Sequence, residues 1–154
     1  MLTYKRPVLL RRAIKRVLGQ TYPHFILHIY DDASGDETSK VVDEFAQKDS
    51  RIIYHCNEKN LGAVLNCAQA MEQISTPFFT FCADDDVLLP QHIEFAMEEF
   101  NKHPQAAIVC NQTICMDEQR RILHINHMDS KAGLYDSAEG VRFLLKDPGI
   151  LAGV

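Results

Sequence analysis

Apolar residues at Leu10, Ala13, Ile14, Val17 and Leu18 repeat with helical spacing behind Pro7, and Gly19 closes the run. A proline in the first turn and a glycine after the last are ordinary helix punctuation, so the spacing predicts a first helix here. Thr21-Tyr22-Pro23 reads as a turn and Phe25–Tyr30 as a strand. Ser34 and Glu37 stand at capping-box spacing, which predicts a helix from about Gly35 with Val41, Val42, Phe45 and Ala46 on its apolar face. Arg51–His55 reads as the next strand. A helix is expected over residues 61–74, with Val64, Cys67, Ala68 and Met71 on its buried side. Phe78–Ala83 is short and apolar without alternation, the pattern of a central strand buried on both faces. Pro90 opens another helix, with Ile93, Ala96, Met97 and Phe100 inward, and His103-Pro104 stops it. Ala106–Cys110 reads as a strand. Thr113–Met116 and Arg121–Ile125 read as a hairpin around Asp117-Glu118-Gln119. Asp136 or Ser137 caps a last helix to about Lys146, and Asp147-Pro148-Gly149 ends it. Strand and helix alternate, so the expected fold is α/β, a mainly parallel sheet with helices on both faces.

Composition narrows the function classes. The 154 residues suffice for one domain with a core. A net charge of −5 argues against a general nucleic-acid or anionic-membrane surface. Lys5, Arg6, Arg11, Arg12, Lys15 and Arg16 cluster near the start; on a helix most of these make a solvated face, and the first two are placed to reach a phosphate. No stretch is long and apolar enough for a membrane helix, and no signal peptide opens the chain. The region reads as soluble and cytoplasmic, with membrane association of a longer parent protein left open. The five cysteines are expected as reduced thiols, mostly buried. Cys110, Cys115, His124 and His127 fit no standard zinc spacing.

Two acidic groups carry the chemistry. Asp31-Asp32 follows one predicted strand and Asp84-Asp85-Asp86 follows another. Parallel strands put both groups at the carboxyl edge of the sheet, where ligands bind in open α/β folds. One aspartate there can accept hydrogen bonds from a base or a ribose hydroxyl. Adjacent carboxylates repel unless compensated, and a divalent cation with oxygen ligands compensates them. Such a cation also neutralises a diphosphate. The chain contains neither a Gly-x-x-x-x-Gly-Lys loop nor a Gly-x-Gly-x-x-Gly turn. Acid plus metal is the remaining route to a nucleoside diphosphate.

Five segments in order resemble the nucleotide-sugar-binding part of a family 2 glycosyltransferase: Thr3–Pro7, Val17–Pro23, Asp31–Thr38, Asn60–Gly62 and Asp84–Pro90. The resemblance implies a GT-A (Rossmann-like) fold and an inverting transfer of sugar from a nucleoside-diphosphate sugar to an acceptor hydroxyl. It places Thr3 and Tyr4 in the nucleotide pocket, Asp32 on the base, and Asn60 and Gly62 beside the nucleotide. Asp84 then lies near the ribose, Asp85 is the direct ligand of Mg2+ or Mn2+, and Asp86 closes the metal site. A UDP-sugar is the favoured donor, and a cell-surface polysaccharide is the setting that the family suggests. Asp31 reads as a turn residue holding a nearby amide, and Asn60 also suits the N-cap of the following helix.

Two departures accompany the resemblance. The apolar first strand usual before the Thr3 segment is missing, and the acidic pair that supplies the catalytic base falls beyond the matching region; Glu139 and Asp147 match no such motif. The expectation is a donor part over residues 1–104 and the start of an acceptor-side part over 105–154, with little transfer by this chain alone. A non-catalytic nucleotide-sugar-binding module, or one that self-associates through exposed strand edges, is the competing reading. A nucleotidyltransferase is a more distant one, since Thr3–Pro7 lacks its phosphate loop.

Overall fold

The computed structural model describes residues 1–117, 119, 121–126 and 133–146. His127, Glu118 and the apolar end from Asp147 to Val154 lie outside these. The chain divides into two compact units, Met1–Glu94 and Phe95–Val154.

The first unit is built on a parallel sheet of β1 (Leu2–Thr3), β2 (Leu27–Asp31) and β3 (Ile52–Cys56), in that order. Helix α1 (Pro7–Leu18) connects β1 to β2, and α2 (Thr38–Ala46) connects β2 to β3. Their apolar faces meet the sheet: Leu10, Ala13, Ile14 and Val17 from α1 and Val41 and Val42 from α2 enclose Leu27, Ile29 and Ile52. The i, i+3, i+4, i+7 set read from the sequence is thus the buried stripe of α1. Helix α3 (Ala63–Glu72) follows β3.

The usual first strand is present as the two residues of β1. Leu2 and Thr3 pair with Tyr30 and Asp31, and the Met1 ammonium donates to the His28 carbonyl at 2.7 Å. On its other side β1 meets the chain at a single bridge, Leu2 to Ala83. The central strand expected over Phe78–Ala83 therefore does not form. A central strand needs partners for its whole length, and β1 offers two residues; Phe78 and Phe79 are exposed.

Two more elements differ from expectation. Helix α2 begins at Thr38 with no side-chain cap, because the Ser34 hydroxyl is spent on Asp31 instead of on the helix. Asp36 takes the Thr38 N–H at 2.8 Å. Helix α3 is rotated: Asn66, Cys67 and Ala70 face inward, whereas Val64 is 80% exposed and Met71 and Ala68 are also outside. Polar anchors set that rotation. The Asn66 amide donates to the Tyr30 carbonyl at 3.2 Å and accepts from Asn57 at 3.1 Å.

Helix α4 (His92–Lys102) follows, with Ile93, Ala96, Met97 and Phe100 half-buried. In the second unit Ala106–Cys110 is not a strand. The hairpin forms as β4 (Thr113–Met116) and β5 (Ile122–Asn126), antiparallel, with a bulge at Cys115/Met116. Asp117 supplies the turn chemistry that glycine does not, accepting from the Arg121 N–H at 2.9 Å and its guanidinium at 2.7 Å. Helix α5 (Ser137–Lys146) begins where expected, with Asp136 accepting the Glu139 N–H at 2.9 Å. All five cysteines are free; Cys67 and Cys82 are buried, but Cys56 and Cys110 are exposed.

Candidate donor site

Because the strands are parallel, β1, β2, β3 and the bridge at Ala83 end on one edge. Thr3, Asp31, Asp32, Asn57 and Asp84 gather there. Thr3 joins the two acidic groups. Its carbonyl accepts the Asp32 N–H at 3.1 Å, and its hydroxyl donates to Asp84 Oδ2 at 2.7 Å.

Asp31 and Asp32 are both buried, with opposite duties. Asp31 is consumed internally. Its Oδ1 accepts the Ser34 N–H and hydroxyl, and its Oδ2 accepts the Tyr54 hydroxyl at 2.6 Å. Burial and that bond to a carboxylate push the Tyr54 phenol up. Asp32 organises the loop after β3. Its Oδ1 accepts from Asn57 Nδ2 at 2.9 Å and the Leu61 N–H at 2.8 Å, and its Oδ2 accepts the Gly62 N–H at 2.8 Å. Burial raises the Asp32 carboxyl, but these donors outweigh it and hold the group below the usual carboxylate range.

Gly62 has φ +83° and ψ 157°, a region open to glycine alone, which aims its N–H at Asp32. Asn60 does not cap α3: its amide donates to the Asp32 carbonyl at 3.2 Å, and Gly62 holds the cap position. Lys5 and Ala33 also sit at positive φ, 54° and 60°. The Lys5 N–H donates to Ser34 Oγ at 2.8 Å, so the two strained loops brace each other. Tyr4 is exposed, with the Lys5 ammonium 5.2 Å from its ring centroid.

The second acidic group is split three ways. Asp84 is buried against Thr3. Burial raises its pKa, and the Thr3 hydroxyl and Arg6 partly offset that rise. Asp85 is half-exposed and turned to Arg6, whose Nη1 lies 2.9 Å from Asp85 Oδ2 and 3.3 Å from Asp84 Oδ1. Arg12 adds a bond to the Asp85 carbonyl at 3.2 Å. Asp86 accepts the Ala83 N–H at 3.0 Å through Oδ2. Among the described residues no three His, Cys, Asp or Glu side chains converge on a metal position, Asp84–Asp86 and the Cys110, Cys115 and His124 group included. The two carboxylates of Asp84 and Asp85 do converge on one cationic nitrogen, so this donor pair suits a cation.

A family model described as Glycosyl transferase family 2 matches residues 1–150. The chain belongs to glycosyl transferase family 2. It is 35% identical over 101 residues to the GalNAc(5)-diNAcBac-PP-undecaprenol beta-1,3-glucosyltransferase of Campylobacter jejuni, covering 65% of this chain and 33% of that one. An uncharacterized glycosyltransferase of Methanocaldococcus jannaschii is 26% identical over 125 residues, covering 80% and 43%. The glucosyl-dolichyl phosphate glucuronosyltransferase of Haloferax volcanii is 28% identical over 96 residues, covering 62% and 30%. The chain thus spans less than half the length of these relatives. A solved mannosyltransferase from Pyrobaculum calidifontis, in complex with GDP-Man and Mn2+, superposes with a TM-score of 0.45 at 19% identity, over 48% of this chain and 23% of its own.

For this glycosyltransferase-family chain, sequence reasoning missed Asn57, Asn66 and the part Arg6 plays. Arg6 carried a signal, a basic residue beside a loop expected to reach phosphate. The asparagines carried none, because their duty depends on which loops the sheet brings together.

Thr3 offers a test of the link between the acidic groups. Thr3→Val keeps the shape but removes the donor to Asp84, and should destabilise the chain by about 1–2 kcal/mol at pH 7. Asp84 already has a raised folded-state pKa, and losing a donor raises it further. A carboxyl raised on folding favours the folded state at low pH and opposes it as pH rises through the folded value. The Thr3→Val deficit should therefore shrink as pH falls to about 4. Urea unfolding at both pH values measures this; a deficit that grows on acidification would refute the link.

Proposed function

We propose that this chain carries the donor site of a glycosyltransferase that moves a sugar from a nucleoside diphosphate to an acceptor hydroxyl, with inversion and with a divalent cation. The observation that carries the reading is the meeting of Asp32, Thr3 and Asp84 at one sheet edge in a family 2 chain. Asp84 and Asp85 would hold Mg2+ or Mn2+, with Asp86, whose Oδ2 accepts the Ala83 N–H, as the third candidate ligand. When bound, the cation neutralises the charge that develops on the leaving diphosphate.

The chain's own residues do the rest. Asp32 Oδ2 accepts one N–H in the loop, and a carboxylate oxygen has room for a second. That second acceptor is assigned to the base. The Asn60–Gly62 segment, fixed by Asp32, forms the adjoining wall. Tyr4 presents an exposed ring next to the Thr3 loop and is assigned to the base or ribose face. UDP is the favoured nucleotide. Two relatives are named for lipid-linked acceptors, which supports an acceptor hydroxyl on a lipid-linked saccharide. Among the described residues no helix is long and apolar enough to cross a membrane. The general base is assigned to the acceptor side, and transfer by this chain alone is expected to be weak.

Calorimetric titration with UDP, GDP and dTDP tests the reading. One nucleotide should bind with Mn2+ or Mg2+ present, and chelator should lower its affinity at least tenfold. Binding that ignores both metal and chelator would leave a plain nucleotide module.

A further inference from the structure

We infer that Arg6 is a built-in counter-cation of this site: it occupies the Asp84–Asp85 pair when the donor is absent and turns to the donor's diphosphate when the pair takes a divalent cation. The inference rests on the donor-site reading above and adds a residue to it.

The geometry puts Arg6 where a cation belongs. A single nitrogen, Nη1, reaches Asp84 Oδ1 at 3.3 Å and Asp85 Oδ2 at 2.9 Å. A divalent cation held by the same two oxygens cannot share that position with a guanidinium, so the two compete. The contest is not one-sided. The Arg6 and Asp85 side chains are 52% and 49% exposed, and pairs that open to solvent are weak; the buried Asp84 keeps the Thr3 hydroxyl when Arg6 leaves. Arg6 can therefore leave without disturbing the core.

The charge count gives it somewhere to go. Asp84, Asp85 and Asp86 carry three negative charges, and Arg6 and Arg12 approach them with two positive ones. A cation in place of Arg6 frees the guanidinium, while a nucleoside diphosphate brings new negative charge to the same edge. Guanidinium binds phosphate oxygens through two parallel N–H bonds, as it binds carboxylates. Arg6 follows Lys5, whose backbone is fixed to Ser34, and precedes Pro7 at the start of α1. Its backbone is thus anchored on both sides, and only the side chain needs to move. Arg12 bonds the Asp85 carbonyl, not a carboxylate, so it is not displaced by the cation.

Competition predicts effects of opposite sign, which loss of structure does not produce. Mn2+ binding to the full chain without nucleotide, read from the electron paramagnetic resonance of free Mn2+, should be about three- to tenfold tighter in Arg6→Gln than in the wild type. UDP binding at saturating Mn2+, read by calorimetry, should be about tenfold weaker in Arg6→Gln. Arg6→Lys keeps the charge without the fork and should restore most of the Mn2+ competition but only part of the UDP affinity. Thermal unfolding confirms that each variant is folded. Unchanged or weaker Mn2+ binding by folded Arg6→Gln, beside a wild type that binds Mn2+ and UDP, overturns the inference and leaves the donor site standing. Unchanged UDP affinity in that variant overturns the turn to the diphosphate. Folded wild type and variants that bind neither Mn2+ nor UDP overturn the donor-site reading and the inference together.

Discussion

Asp32→Ala should lower the folding stability of the chain by roughly 3 kcal/mol, the cost of leaving several partly buried donors without an acceptor. Asp32 is 3% exposed. Asn57 Nδ2 and the Leu61 and Gly62 N–H groups all end on its carboxylate. Each stranded donor costs about 1–3 kcal/mol, and water entering the vacated space recovers part of the sum. Asp32→Asn should be milder: it keeps one oxygen for two of the donors but turns an NH2 toward a third. The pH dependence gives an independent check. A carboxylate held below its usual pKa stabilises the fold above about pH 4, and that contribution is lost as pH falls through the depressed value. The gap between wild type and Asp32→Ala in urea unfolding should be widest near pH 7 and narrow below about pH 4. Equal unfolding midpoints at pH 7 would mean that the Asn60–Gly62 loop is held by something else.

The loop-anchoring duty of Asp32 marks the limit of what the residue order discloses. The helices with one clear apolar stripe were legible, because spacing alone decides which face of α1 or α2 meets the sheet. So was the edge at which the acidic groups lie, although only Asp31 and Asp32 stand at the end of a strand and a single parallel bridge at Ala83 brings Asp84 there. Helix α3 was misread because its apolar residues are spread around it, and the inward face was chosen by Asn66 hydrogen bonds to Tyr30 and Asn57. Phe78–Ala83 was misread because strand formation depends on a partner, and β1 supplies two residues. In the site, residue type pointed to Asp84–Asp86 as a unit. Their different fates, one buried, one paired with Arg6 and one folded back on Ala83, follow from a turn whose geometry no spacing rule gives. Ser34 was drawn from a capping role by the carboxylate three residues before it. Local patterns lose to a buried charge that needs donors.

Asp85→Asn should separate binding from folding where Asp32→Ala confounds them. The Asp85 side chain is 49% exposed and it pairs with the half-exposed Arg6. Exposed pairs contribute about 0–1 kcal/mol, so the unfolding midpoint should barely move. A divalent cation, in contrast, needs anionic oxygen donors, and an amide oxygen is a poorer one. On the proposed donor site, losing the Asp85 carboxylate should weaken Mn2+-dependent UDP binding by roughly 100-fold, about 2.7 kcal/mol. Asp86→Asn is the informative partner experiment. Its oxygen can still accept the Ala83 N–H, so the turn survives the change. If the Asp86 carboxylate stays on Ala83 when the cation binds, Asp86→Asn should lose less than a few-fold. If it swings in to close the metal site, the loss should approach that of Asp85→Asn. An Asp85→Asn chain that binds UDP as the wild type does, with the same response to chelator, would remove Asp85 from the metal site and move the search for a ligand to Asp84 and Asp86.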